Sequence, residues 1–225
     1  MRLYGKSIAV CALLLAFGSS SAQAAIITLF NTGVNSAGVS LPNGSAEIHY
    51  SLIAPVPAGS TTSLEVVTSA GGFPIPPWLG DSTISAWISP ANRNGIDPDD
   101  DPAGTYTYRT TFTLPAFTTA SITGQWATDN TGGSILLNGV ATANPPSPGF
   151  TSFTSFTISS GFVTGTNTLD FVVTNLPATS TNPTGLRVEL TGQFAPVPEP
   201  TTICTWLGVA LIFSAGCHRR RRRLV

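Results

Sequence analysis

Through the middle of the chain, apolar side chains recur at every second position. In 106–114, Tyr106, Tyr108, Phe112 and Leu114 alternate with Thr107, Arg109, Thr111 and Thr113. In 186–194, Leu186, Val188, Leu190 and Phe194 alternate with Arg187, Glu189, Thr191 and Gln193. A period of two sends one set of side chains to a buried face and the other to water, as in a strand and not a helix. The pattern predicts strands at 26–30, 46–53, 63–68, 84–88, 106–114, 120–126, 134–137, 153–158, 169–174 and 186–194. Turn formers separate them, among them Pro42-Asn43-Gly44, Gly71-Gly72, Asn94-Gly95, Asn138-Gly139 and Asn182-Pro183. No stretch of the body carries a capped helical period, and no internal repeat points to a solenoid. The prediction is an all-β fold: an antiparallel β-sandwich, most simply a jelly roll.

Two continuous apolar runs interrupt this alternation, one at each end. The first, 8–17, follows Arg2 and Lys6 and is too short to span a bilayer. Three serines and Ala22-Gln23-Ala24 come next, the small-x-small pattern that fits the narrow subsites of a signal peptidase. Residues 1–24 are therefore expected to be a signal peptide, cleaved before Ala25. Cys11 lacks the flanking pattern of a lipoprotein signal. At the other end, Pro198, Glu199 and Pro200 hold an extended segment, because proline neither continues a strand nor enters a helix interior. An uncharged stretch, 201–217, follows, then His218 and the block Arg219, Arg220, Arg221, Arg222 and Arg223. As a helix, 201–217 would be about 25 Å long, at the short limit for a transmembrane span. An arginine block stays on the cytoplasmic side, which places the body outside. The expected division is a signal peptide at 1–24, a β-sandwich ectodomain at 25–195 and a tail at 196–225.

Pro-Glu-Pro, a short hydrophobic helix and a terminal basic cluster, paired with a signal peptide, resemble the PEP-CTERM sorting signal. The resemblance covers roughly the last 30 residues and includes each element in order. It implies a Gram-negative exporter of extracellular polysaccharide and processing by an exosortase at the inner membrane. Pro198, Glu199 and Pro200 would be the recognition residues, and Arg219 to Arg223 the stop-transfer cluster. The expected destination is the cell surface or extracellular matrix.

Composition changes the picture in two ways. Mean hydropathy is +0.24, but much of it comes from the two end runs, which also hold all three cysteines, Cys11, Cys204 and Cys217. The body thus has no disulfide, no thiol nucleophile and no cysteine-based zinc site. Its bases are Arg93, Arg109 and Arg187, against ten acids, a balance of −7. A lysine-free, acidic body argues against nucleic acid as a partner, which requires a basic footprint.

The second half also resembles the galactose-binding-like jelly roll of carbohydrate-binding modules. The motifs that carry the likeness are Tyr106-Thr107-Tyr108-Arg109, Gly124-Gln125-Trp126-Ala127-Thr128-Asp129-Asn130, Leu137-Asn138-Gly139, Asn167-Thr168-Leu169-Asp170 and Gly185-Leu186-Arg187. Sugar sites combine a ring for the CH face of the sugar with amides and carboxylates for its hydroxyls. Trp78, Trp87 and Trp126 are available, and Trp126 with Asp129 and Asn130 is the candidate ligand loop. Against this, Trp126 ends an alternating strand, so a core position is the competing reading, and a simple turn would account for Asp129 and Asn130. Asp97, Asp99 and Asp101 form the dense acidic cluster and could ligate calcium. Pro102 replaces the turn glycine of an EF-type loop and Tyr108 its last glutamate, so a solvated loop competes.

Catalysis has little to work with. His49 is the body's one histidine, there is no Gly-x-Ser-x-Gly elbow, and no sequence context pairs Glu47, Glu65 and Glu189. The expectation is a non-enzymatic surface protein with no obligatory cofactor and polysaccharide as its candidate ligand. The rivals are a purely structural or adhesive matrix protein and an ice-binding protein. For the latter, regular Thr-x-Thr ranks are expected to be absent.

Overall fold

The computed structural model describes residues 23–91, 101–178 and 182–197. Residues 1–22 of the predicted signal peptide, Pro198 to Pro200, the 201–217 helix and the arginine block lie outside the described residues. Among the described residues no helix is long and apolar enough to cross a membrane. They form eleven strands: β1 Ala25–Ile27, β2 Ser51–Leu52, β3 Leu64–Val67, β4 Trp87–Pro90, β5 Gly104–Leu114, β6 Phe117–Asp129, β7 Thr131–Leu137, β8 Val140–Ala141, β9 Thr154–Ile158, β10 Gly165–Asn175 and β11 Gly185–Pro196.

The pairing is nested. β7 pairs with β8, β6 with β9, β5 with β10 and β4 with β11, every pair antiparallel. A chain doubled on itself in this way rolls into two sheets. One runs β3-β4-β11-β6-β9, with β1 also on β11; the other runs β2-β5-β10-β7-β8. This is the jelly roll that the alternation predicted. Each of the ten predicted segments overlaps a strand, and β8, directly after the Asn138-Gly139 turn, is the one that was not foreseen.

The inward set of each strand fills the space between the sheets. Phe171 of β10 meets Trp126 of β6 at 5.7 Å and Phe156 of β9 at 5.8 Å between ring centroids. Tyr106, Tyr108, Ile88, Ile122, Leu137, Leu169 and Leu186 close around them, each fully buried or nearly so. Each such side chain contributes about 1.5–3 kcal/mol through the apolar surface it removes from water. Gly124 is the small member of β6's inward set: a Cβ there would lie 2.7 Å from the Phe156 ring.

Two predicted strands are cut short for local reasons. Of 46–53 only Ser51–Leu52 joins a sheet. The Glu47 carboxylate accepts the backbone N–H groups of Gly33, His49 and Tyr50, at 2.8, 2.6 and 3.2 Å, so these donors are lost to any ladder. In 84–88 the pairing begins only at Trp87, because Ala86 donates instead to the carbonyl of Thr32. Thr32 and Asn31 fill the gap between β1 and β4 along one edge of β11. Val188 N–H donates to the Thr32 hydroxyl at 3.0 Å and Leu190 N–H to the Asn31 amide oxygen at 2.8 Å.

Candidate functional site

The residues singled out from sequence separate into buried, structural and undescribed. Trp126 is 0% exposed and belongs to the core between the sheets. It is the fourth inward position of an unbroken alternation from Ala120, so its ring has no face open to a sugar. Of the two readings of Trp126, the core position is the one its burial fits. Asp129 ends β6 at 2% exposure, and burial pushes its carboxyl up to about 7. It accepts a hydrogen bond at 2.8 Å from the amide of Asn130, whose own oxygen accepts Leu176 N–H at 2.7 Å. The two residues fasten the β6–β7 turn to the end of β10.

Asp101 serves the same end of the sandwich. Its carboxylate accepts Thr184 N–H at 3.2 Å, and its carbonyl accepts the side-chain amides of Asn175 and Asn182 at 2.9 and 3.0 Å. The Thr184 hydroxyl in turn donates to the Asp129 carbonyl. Two motifs far apart in sequence therefore meet through Thr184, where they hold the strand ends in place. Asp97 and Asp99 lie outside the described residues. Among the described residues no three His, Cys, Asp or Glu side chains gather as a metal site.

The outer face of the β3-β4-β11-β6-β9 sheet holds a constellation that the sequence reading did not assemble. Here Val67, Trp87 and Ala127 point away from the main core and form a second apolar cluster. Two proline-rich loops fold over them: Phe73, Trp78 and Leu79 from one, Phe150 and Phe153 from the other, all half-buried. Trp78 is the hub. Its ring lies 4.8 Å from Trp87, 5.4 Å from Phe150 in a stacked pose and 5.4 Å from Phe73 edge-on. The loops are joined by Leu79 N–H donating to Phe150 O at 2.9 Å, and the Trp87 indole N–H donates to Leu79 O at 2.9 Å. Ile75, 51% exposed, and Pro76 and Pro77 form the rim.

Polar groups border the rings. The Arg187 guanidinium sits 5.4 Å over the Phe153 ring, donates to the Ser85 hydroxyl at 2.9 Å and to the Gly80 carbonyl, and lies 3.7 Å from Glu189. Burial lowers its pKa, opposed by the charges of Glu189 and Asp81. Glu189 accepts from Ser85 at 2.6 Å and from the Gln125 amide at 2.7 Å. Asp81 is exposed and holds Ser69. Rings flanked by a half-buried carboxylate and amide, Glu189 and Gln125, supply the two kinds of contact that a pyranose uses. Trp78 and Trp87 were noticed in the sequence; the signal that would have joined them to Phe150 and Phe153 is weak. It consists of two aromatic-bearing proline clusters, at 73–78 and 145–150, whose meeting depends on the long-range pairing of β4, β11, β6 and β9.

The opposite sheet corrects a further expectation. The outward positions of β5 are Thr105, Thr107, Arg109, Thr111 and Thr113, a Thr-x-Thr rank on each side of Arg109. In the β5–β10 register Thr113 faces Thr166, Thr111 faces Thr168 and Thr105 faces Thr174. Arg109 and Asp170 divide this face with a two-pronged ion pair, 2.6 and 2.7 Å.

No family model and no curated protein matches the chain. Among solved structures, a family 35 carbohydrate-binding module from Paenibacillus barcinonensis matches at 14% identity, covering 66% of this chain and 95% of that one, with a TM-score of 0.32. A family 35 module from Clostridium thermocellum matches at 14% identity over 66% and 89%, TM-score 0.28. A family 29 carbohydrate-binding module matches at 9% identity over 77% and 90%, TM-score 0.34.

Proposed function

We propose that this chain is an exported, non-enzymatic surface protein whose jelly roll binds polysaccharide on the outer face of the β3-β4-β11-β6-β9 sheet. One observation carries the reading: four half-buried aromatic rings, held together by two proline-rich loops, border the Glu189 carboxylate and Gln125 amide on an otherwise threonine- and serine-rich surface. Each ring keeps part of its area open, and a sugar covering it removes that area from water while its hydroxyls find partners alongside. Export rests on the sequence at the two ends: the 1–24 signal pattern and the tail of Pro198, Glu199 and Pro200, apolar 201–217 and the five arginines. In this reading signal peptidase and an exosortase-type enzyme process the chain at the inner membrane, and the body reaches the surface or the matrix. The test is affinity electrophoresis of the full chain, in mild detergent, through gels carrying polysaccharides. Retardation that is weakened in Trp78→Ala and kept in Thr111→Val supports the aromatic face. Retardation equal in both variants places the ligand elsewhere.

A second reading, ice binding, is favoured by the threonine pairs on β5 and β10, because strands about 4.8 Å apart with side chains repeating about every 6.8 Å make a regular hydroxyl grid. The Arg109–Asp170 pair interrupts that grid at its centre. Inhibition of ice recrystallisation, lost in Thr111→Val with Thr168→Val, is the outcome this reading requires.

A further inference from the structure

We infer that the glycan held by the aromatic face is an uncharged polymer; the inference rests on the polysaccharide reading and specifies its ligand class. Anionic polysaccharides, such as uronates or sulfated chains, are recognised through arginine forks or lysine ammonium groups that pair with a carboxylate or sulfate. The body has no lysine and three arginines. Arg109 lies on the opposite sheet and is held by Asp170 through both of its contacts. Arg187 lies on the aromatic face but is 3% exposed and engaged by Ser85, Gly80 and Glu189, with Phe153 under its guanidinium. Arg93 lies outside the described residues. His49, the single histidine of the body, stacks on Phe30 at 3.7 Å, and its Nε2 is buried.

What the face offers instead is negative or neutral. Asp81 is exposed beside the loop that carries Trp78, and Glu189 is half-buried next to Arg187. Ser155, Thr123 and Thr157 continue the outward positions of β9 and β6, all exposed. A carboxylated chain laid on these rings would bring its charges toward Asp81 and Glu189 with no free cation among the described residues of the face to meet them, and like charges at such distances repel. A neutral chain meets the same rings and hydroxyls without that cost. Neutral contacts also make binding insensitive to salt, since nothing is there to screen.

The experiment compares neutral polymers (galactomannan, β-glucan) with acidic ones (alginate, hyaluronan), using the full chain in mild detergent at low salt and at about 0.5 M, where charge contacts are screened. The expected result is retardation by at least one neutral polymer, unchanged by salt and weakened roughly tenfold by Trp78→Ala, the equivalent of one ring contact. The acidic polymers should give none. Ser155→Lys adds a cation at an exposed, outward position of β9 close to Phe153 in the chain; it should create alginate binding that salt abolishes. Alginate or hyaluronan binding by the unaltered chain, weakened by salt, overturns the inference while leaving the polysaccharide reading intact. Retardation by no polymer of either class overturns both.

Discussion

At the scale of single residues, the same side chain carried two readings in sequence, and its surroundings chose between them. Trp126 lies close to the end of β6, and nothing in the local pattern distinguishes an indole at the edge of a core from one at the edge of a ligand site. The neighbouring sheet decides it: Phe171 lies across the gap. Trp126→Ala should therefore cost about 3–5 kcal/mol of stability, measured by denaturant unfolding, and leave any glycan affinity of the folded fraction unchanged. Asp129 makes a sharper prediction. Burial moves its carboxyl from an ordinary value of 3.8 to about 7, so the folded state holds a proton that the unfolded state releases. Its contribution to stability is then complete below pH 3.8 and is lost progressively as pH rises to about 7. The melting temperature should fall across that window, and Asp129→Asn should flatten the decline. A wild-type profile that rises through the same window, with the same slope in the variant, would show that Asp129 titrates normally.

At the scale of elements, alternation located strands well and their ends poorly. The long strands β5, β6, β10 and β11 were visible because a sustained period of two fits a pleated strand and breaks the 3.6-residue stripe of a helix. The short ones were blurred by side chains that compete with the ladder for backbone donors, as Glu47 does at 46–50. Such competition depends on Gly33 and Tyr50 meeting the same carboxylate, which is a property of the folded chain. Thr32 shows the converse, a side chain that repairs a sheet. Its hydroxyl donates to Ala86 O at 2.7 Å and accepts from Val188 N–H at 3.0 Å, both buried. Thr32→Val keeps the shape but orphans these partners, and should cost about 1–3 kcal/mol for each group left unpaired. Thr32→Ser should restore most of it. The aromatic face was the least legible part of the molecule, because its rings come from loops whose positions follow from the topology rather than from any local period.

At the scale of the whole molecule, the chain divides its charge by region, with five arginines in the tail and an acidic middle. Two predictions belong here. Replacing Pro198, Glu199 and Pro200 by alanines should leave an unprocessed precursor in the membrane fraction, read by mass and fractionation. A variant matured and released like the wild type would reduce the tail to a generic anchor. Chelation tests calcium at the Asp97, Asp99 and Asp101 cluster: a bound ion requires the melting temperature to drop in EDTA and to recover with added calcium. The nested topology has its own consequence for how such a chain is made. β11 is the last described strand, yet it lies inside its sheet, with β6 along one edge and β1 and β4 sharing the other. Ala25 finds its partner, Phe194, only when nearly the whole body has been synthesised. A polypeptide emerging amino end first cannot close this sheet early, since the strand that joins its two halves arrives last. If the body is exported as proposed, its sheet should close only after β11 has been delivered.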